Sequence, residues 1–144
     1  MNIFEAIRED HKKQRTLLDI LVKTHGDSEG REELFQKLKD ELQVHATAEE
    51  RFFYIPLMKD DFTQEKSRHG VAEHHEIDEL IEELEKTDYS SPGWLATAKH
   101  LHERVHHHLD EEEHEFFQMA GKVLSDKEKE SLATGYIQEM KERR

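Results

Sequence analysis

Residues 45–56 read His45-Ala46-Thr47-Ala48-Glu49-Glu50-Arg51-Phe52-Phe53-Tyr54-Ile55-Pro56. Residues 108–117 repeat the design as His108-Leu109-Asp110-Glu111-Glu112-Glu113-His114-Glu115-Phe116-Phe117. In each stretch two Glu follow the first His at offsets four and five, and an aromatic pair follows at eight and nine. A spacing of four stacks two side chains on one face of a helix, so each His-x-x-x-Glu presents both groups to the same neighbour. A second pair of segments matches in the same way. Asp10-His11 is followed by Leu17, Leu18 and Leu21, and Glu73-His74 by Leu80, Ile81 and Leu84, at offsets six, seven and ten. Amphipathic helices align apolar residues by chance, but aligning His and Glu as well is much rarer. The repeat predicts two similar helical hairpins about a pseudo-twofold axis.

Outward from these stretches, the chain punctuates into five helical segments. The first runs from Ile3 to Thr24 and stops at His25-Gly26, a basic residue then Gly, as helix C-termini prefer. The second starts after Asp27-Ser28 and runs through Glu50 towards Pro56, which should kink or end it. The third follows Asp61, with Gln64 completing a capping-box pattern, and ends near Thr87. The fourth opens at Ser91-Pro92, a cap followed by Pro at the first helical position, and continues to about Leu124. The fifth opens at Ser125 with Glu128 three residues on. The first four are long with short connections. That predicts an all-α fold, an antiparallel up-down-up-down four-helix bundle over residues 1–124. Residues 125–144 form an additional C-terminal helix packed outside, burying Leu132, Tyr136 and Ile137.

Composition agrees. The 144 residues suit one domain, and 38% are charged against 34% hydrophobic, a thin core under wide solvated helix faces. No window alternates Val, Ile and Thr with period two. A formal charge of −13 repels phosphates and anionic lipid, so nucleic acid and membrane surfaces are poor partners. No apolar run nears the roughly 20 residues of a membrane span, and the N-terminus lacks a signal-peptide pattern, so a cytoplasmic setting is expected. Zero Cys excludes disulfides, thiolate zinc sites, iron–sulfur clusters and Cys nucleophiles. Any metal must use nitrogen and oxygen ligands. The 12 His stand far above ordinary usage, and none forms a terminal tag.

On a helical wheel of roughly 100° per residue, Phe4, Ile7, Leu18 and Val22 share the face of His11, and Leu34, Leu38, Phe52, Pro56 and Glu49 share that of His45. Val71, Ile77, Ile81 and Leu84 flank His74, and Leu101, Val105, Glu112 and Met119 flank His108. Each of four helices therefore puts one His on its core face, and two add a Glu one turn on. A buried carboxylate costs several kcal/mol unless paired, and no Lys or Arg lies on these stripes. A single core His is usually just hydrogen-bonded. Four His and two Glu in register fit a pair of dications better, and imidazole with carboxylate suits iron, manganese or zinc. The other His fall elsewhere. His75, His100, His102, His106, His107 and His114 point off the stripes, His25 serves a helix terminus, and His69 with Glu73 forms a further His-x-x-x-Glu pair.

Taken together, Asp10-His11, His45-x-x-x-Glu49-Glu50 with Pro56, Glu73-His74, and His108-x-x-x-Glu112-Glu113 before Phe116-Phe117 resemble the hemerythrin-like, or HHE cation-binding, family over residues 3–124. The resemblance implies two non-haem iron ions, oxo- or hydroxo-bridged, with zinc or manganese as substitutes. It implies bridging by Glu49 and Glu112, terminal ligands His11, His45, His74 and His108, and imidazole orientation by Asp10, Glu50, Glu73 and Glu113. The chain departs from the oxygen-carrying branch, since Asp78 and Gly70 stand four residues either side of His74. It is closer to the branch with two His-x-x-x-Glu helices, which includes iron-centre repair and iron- or oxygen-sensing domains, though the Cys-containing segment usual in repair proteins is missing. His107-x-x-x-x-Glu112 is the alternative reading of the fourth-helix ligand. The implied roles are binding or sensing of O₂ or nitric oxide, an oxidoreductase acting on peroxide or nitric oxide, or iron buffering. Tyr54 and Thr47 are proton-donor candidates by position.

Overall fold

A computed structural model describes residues 1–26 and 28–144; the expected start of the second segment at Asp27 lies outside the described residues. Five helices and no strand are present among them. Helix α1 spans Ile3–Leu21 and is capped by Asn2, whose side chain accepts from the Glu5 amide while Glu5 reaches back. Helix α2 starts as Glu29–Glu49 on an Ser28 cap, passes through a π-helical turn Glu50–Tyr54, and ends at Ile55–Leu57. Helix α3 is Gln64–Lys86. The Asp61–Gln64 capping box does not form: the helix starts after Thr63, whose hydroxyl donates to the Leu57 carbonyl. Helix α4 runs Pro92–Glu111 from a Ser91 cap, through a second π-helical turn Glu112–Phe116, to Phe117–Val123. Helix α5, Asp126–Arg143, opens on the expected Ser125–Glu128 capping box.

Helix α1 packs on α2, α4 and α5, and α3 packs on α4 and α2. The core divides in two. One half gathers Ile3, Phe4, Ile7, Phe53, Phe116, Phe117 and Tyr136, and the other gathers Leu18, Phe35, Leu38, Ile81, Trp94 and Leu101. Along α1 and α3 the first half precedes the second, and along α2 and α4 the order reverses. In every one of these helices the His of the sequence repeat stands between the two halves.

The π-helical turns shift the apolar faces. A uniform α-helix would put Tyr54 and Phe117 about 180° from His45 and His108. An i→i+5 turn takes more residues per revolution and winds both back inward. The structure accordingly buries Tyr54, Leu57, Phe117 and Ala120, while Phe52, Pro56 and Met119, expected on the stripes, are only partly buried. On α5 Tyr136 is buried as expected and Leu132 partly so, but Ile137 faces solvent.

Candidate metal centre

The six side chains singled out in the sequence meet between the two core halves, and all are nearly inaccessible: His11, His45, Glu49, His74, His108 and Glu112 are 0, 3, 0, 6, 4 and 2% exposed. The imidazoles form two pairs. The rings of His11 and His45 are 5.3 Å apart, and those of His74 and His108 5.0 Å. Each carboxylate touches both pairs. Glu49 lies 3.5 Å from His45 Nε2, 3.9 Å from His11 Nε2 and 3.1 Å from His74 Nε2. Glu112 lies 3.2 Å from His11 Nε2 and 3.7 Å from His108 Nε2. His11, His45 and Glu49 make one group able to hold an ion, and Glu49, His74 and His108 another.

Each imidazole points its Nε2 inward because its Nδ1 is engaged outside. His11 Nδ1 meets Glu113 at 2.6 Å, His74 Nδ1 meets Glu50 at 2.7 Å, and His108 Nδ1 meets Glu73 at 2.8 Å. Three of the four orienting acids expected from sequence are therefore in direct contact. The fourth, Asp10, is separated from His45 by the Tyr136 hydroxyl, 2.6 Å from His45 Nδ1 and donating to Asp10 at 2.5 Å. A carboxylate on Nδ1–H holds the proton there and leaves the Nε2 lone pair inward, the tautomer a metal needs.

The interior of the cluster is unsatisfied as it stands. His11 Nε2, His45 Nε2, both Glu49 oxygens and Glu112 Oε1 are buried without a hydrogen-bond partner among the described residues. At about 1–3 kcal/mol each, such atoms would together rival the stability of a whole domain. Cations of imidazole and carboxylate preference fit the donor set and remove the penalty. The electrostatics point the same way. Burial opposes charge on His11, but the close carboxylates of Glu112, Glu113 and Glu49 outweigh it and hold its pKa well above the usual value. His74 is likewise pushed up to about 10, burial being outweighed by Glu49 and Glu50. Burial and the neighbouring Glu49 raise Glu112 above the carboxylate range. Without cations, protons are what this cluster gathers.

Two further residues reach the centre beside the six. Tyr54, turned inward by the first π-helical turn, donates its hydroxyl to Glu112 and lies 3.3 Å from His108 Nε2. Burial and Glu112 hold its pKa well above the phenol value, so it stays a proton donor. Gln14, one turn beyond His11, is 1% exposed and its Nε2 has no partner among the described residues. It lines a small cleft shared with His45, His74 and His108 and walled by Leu42, Ile77 and Val105. The wheel carries a signal for it, since Gln14 lies about 20° from Ile7 and Leu21 on the core stripe of α1. Thr47 is exposed and bonds its own helix, so it drops out as a donor.

The remaining His stay outside. His107 is exposed and pairs with Glu111 at 3.2 Å, so the alternative fourth-helix ligand is not brought to the centre. His69 also leans on Glu111, 3.2 Å away, and is 3.6 Å from Glu73. His102 and His106 converge on Asp19 at 2.7 and 3.2 Å on the surface, away from the centre.

The family model for the Hemerythrin HHE cation binding domain matches residues 2–120. Among solved structures, a Hemerythrin HHE cation binding domain-containing protein from Mycobacterium kansasii is similar, with a TM-score of 0.89 at 25% identity over 99% of this chain and 87% of that one. No curated protein matches the chain.

Proposed function

The chain belongs to the hemerythrin HHE cation-binding family, and on that premise we propose that it is a non-haem di-iron protein that binds or senses O₂ or nitric oxide. His11 and His45 would hold one ion, His74 and His108 the other, and Glu49 and Glu112 would span both. Zinc or manganese could substitute. The observation that carries the reading is the convergence of five buried, partnerless ligand atoms on one point from three helices, with His74 of the fourth 3.1 Å from Glu49. Iron on such a donor set supplies a reversible redox change and an open position for a small ligand. The protein's part is to fix the imidazole tautomers through Glu113, Glu50 and Glu73, and to exclude water with Phe53, Phe116 and Phe117. Gln14 offers an amide to whatever enters the cleft beside His74.

The same reading takes the architecture as an antiparallel up-down-up-down bundle over residues 1–124, with residues 125–144 as a helix packed on it. The reversal of core order between successive helices supports it. Among the described residues no helix is long and apolar enough to cross a membrane. A cytoplasmic setting belongs to the proposal.

A second reading, an oxidoreductase acting on peroxide or nitric oxide, draws on Tyr54. Its hydroxyl sits against Glu112 at the end of a cleft lined by His69 and Lys66, so a proton source and a solvent path coincide. Iron buffering or iron-centre repair would need a labile ion. Elemental analysis of the purified protein comes first. The proposal expects two irons per chain, with loss of metal in Glu49→Ala and Glu112→Ala. No metal after anaerobic ferrous reconstitution would overturn it. Reversible colour change on oxygen cycling supports binding, gas evolution from peroxide supports the enzyme, and rapid loss of iron to a weak chelator supports buffering.

A further inference from the structure

The sequence repeat makes a demand that one quarter of the centre does not meet. The residue before His74 is Glu73, and it reaches His108 Nδ1 directly at 2.8 Å. The residue before His11 is Asp10, and the pseudo-twofold relation assigns it to His45. Asp is one methylene shorter than Glu, and between Asp10 and His45 stands the hydroxyl of Tyr136. A phenol has one proton to donate, and here it goes to Asp10. The oxygen must therefore accept from His45, which fixes the proton of His45 on Nδ1 and leaves Nε2, buried and partnerless, facing Glu49. The chain of bonds continues outward. Arg144 donates to Asp10 at 2.5 Å and to Glu41 at 2.6 Å, anchoring the last turn of α5 beside α1 and α2. The two hydrogen bonds from His45 through Tyr136 to Asp10 run in one direction and end on a carboxylate that Arg144 neutralises from the far side, so each polarises the next.

Tyr136 is 1% exposed, with its ring edge-on to that of His45, 5.9 Å away. It lies on α5, beyond residue 120 where the family match ends. We propose that Tyr136 is a positioning residue of the metal centre: it completes the short reach of Asp10, sets the tautomer and ring angle of His45, and makes α5 a working part of the site. This rests on the reading of His45 as a metal ligand. It predicts that one ion of the pair, the one held by His11 and His45, depends on α5, and that the one held by His74 and His108 does not.

The test is an anaerobic cobalt(II) titration of the metal-free full chain, followed by visible absorption and by chelator competition. Wild type should take two cobalt ions per chain. Tyr136→Phe removes only the hydroxyl. It should weaken one cobalt by about tenfold to a hundredfold and alter its visible band, leaving the other unchanged. Leu132→Ala, which loosens the packing of α5 without touching the relay, should lower the melting temperature while keeping both affinities and the spectrum. Asp10→Asn keeps the packing and removes the charge, and should weaken the same ion, which serves if Tyr136→Phe does not fold. Tyr136→Phe or Asp10→Asn with wild-type affinity and spectrum overturns the inference, as does an equal loss in Leu132→Ala. If wild type itself binds no cobalt, the metal reading fails and this inference falls with it. If wild type binds two and the relay variants are unaffected, only this inference fails.

Discussion

Tyr54 reaches Glu112 only because residue 70 is Gly. A Cβ there would stand 2.6–2.9 Å from the Tyr54 ring and hydroxyl, and that ring is itself packed against His74 and Phe116. Neither side can move freely. Gly70→Ala is expected to cost about 1–3 kcal/mol in denaturant unfolding, since overpacking a dense core strains it. Tyr54→Phe should leave folding nearly intact and retain the metal. On the peroxide reading it slows turnover, and an unchanged rate would remove Tyr54 as donor. Gln14 is the complementary case, a polar group held in an apolar cleft. Gln14→Leu should keep both metal ions and weaken azide binding to the iron-loaded protein about three- to tenfold, the worth of one hydrogen bond. Azide affinity equal to wild type would mean the amide does not face the ligand.

The π-helical turns are the elements that make the repeat work. Each begins at or just after a carboxylate of the centre, at Glu50 on α2 and Glu112 on α4, and each brings the following aromatic pair to the core. Pro56 stands in the last turn of α2, which ends one residue later at Leu57. The sequence offset between Glu and aromatic residues was visible, but its meaning was not. On a regular helix Tyr54 would face away from His45, and only an extra residue in the turn brings it round. Helix α5 starts on a defined cap, with Ser125 accepting from the Glu128 amide. Ser125→Ala should cost about 1 kcal/mol, read as a lower denaturation midpoint with unchanged slope. A loss well below this would mean that α5 is held by its far end, where Arg144 bridges Asp10 and Glu41.

For the whole molecule, the polar cluster divides a core that would otherwise be continuous. Four helices converge there, each contributing one imidazole, so on the proposed reading bound cations would act as a shared tie. Any ligand that binds only the folded state stabilises it by mass action, about 2.7 kcal/mol per ion at a hundredfold excess over Kd. At roughly 3 °C per kcal/mol for a chain of this size, removing metal with a chelator should lower the melting temperature by about 8 °C or more. Restoration on adding ferrous iron anaerobically would tie the loss to the centre. A melting temperature indifferent to chelator would mean that the cluster contributes nothing to holding the helices together.

The sequence by itself determined the helical class, most helix starts, the repeat, and the identity of the six residues that meet at the centre. These follow from local physics: caps, Pro and Gly positions, and the four-residue spacing that puts His and Glu on one helix face. It also named Glu50, Glu73 and Glu113, because each is the chain neighbour of a residue at the centre. Tertiary structure alone decided which His pairs with which, that Glu49 and Glu112 each touch both pairs, and that Gln14 is buried without a partner. It alone seated Tyr136 between His45 and Asp10, residues 91 and 126 positions away along the chain. Periodicity reports which face of a helix is buried, but not what stands opposite. A missing methylene in Asp10, filled by a hydroxyl from another helix, is a fact about distances between helices, and no single helix encodes it.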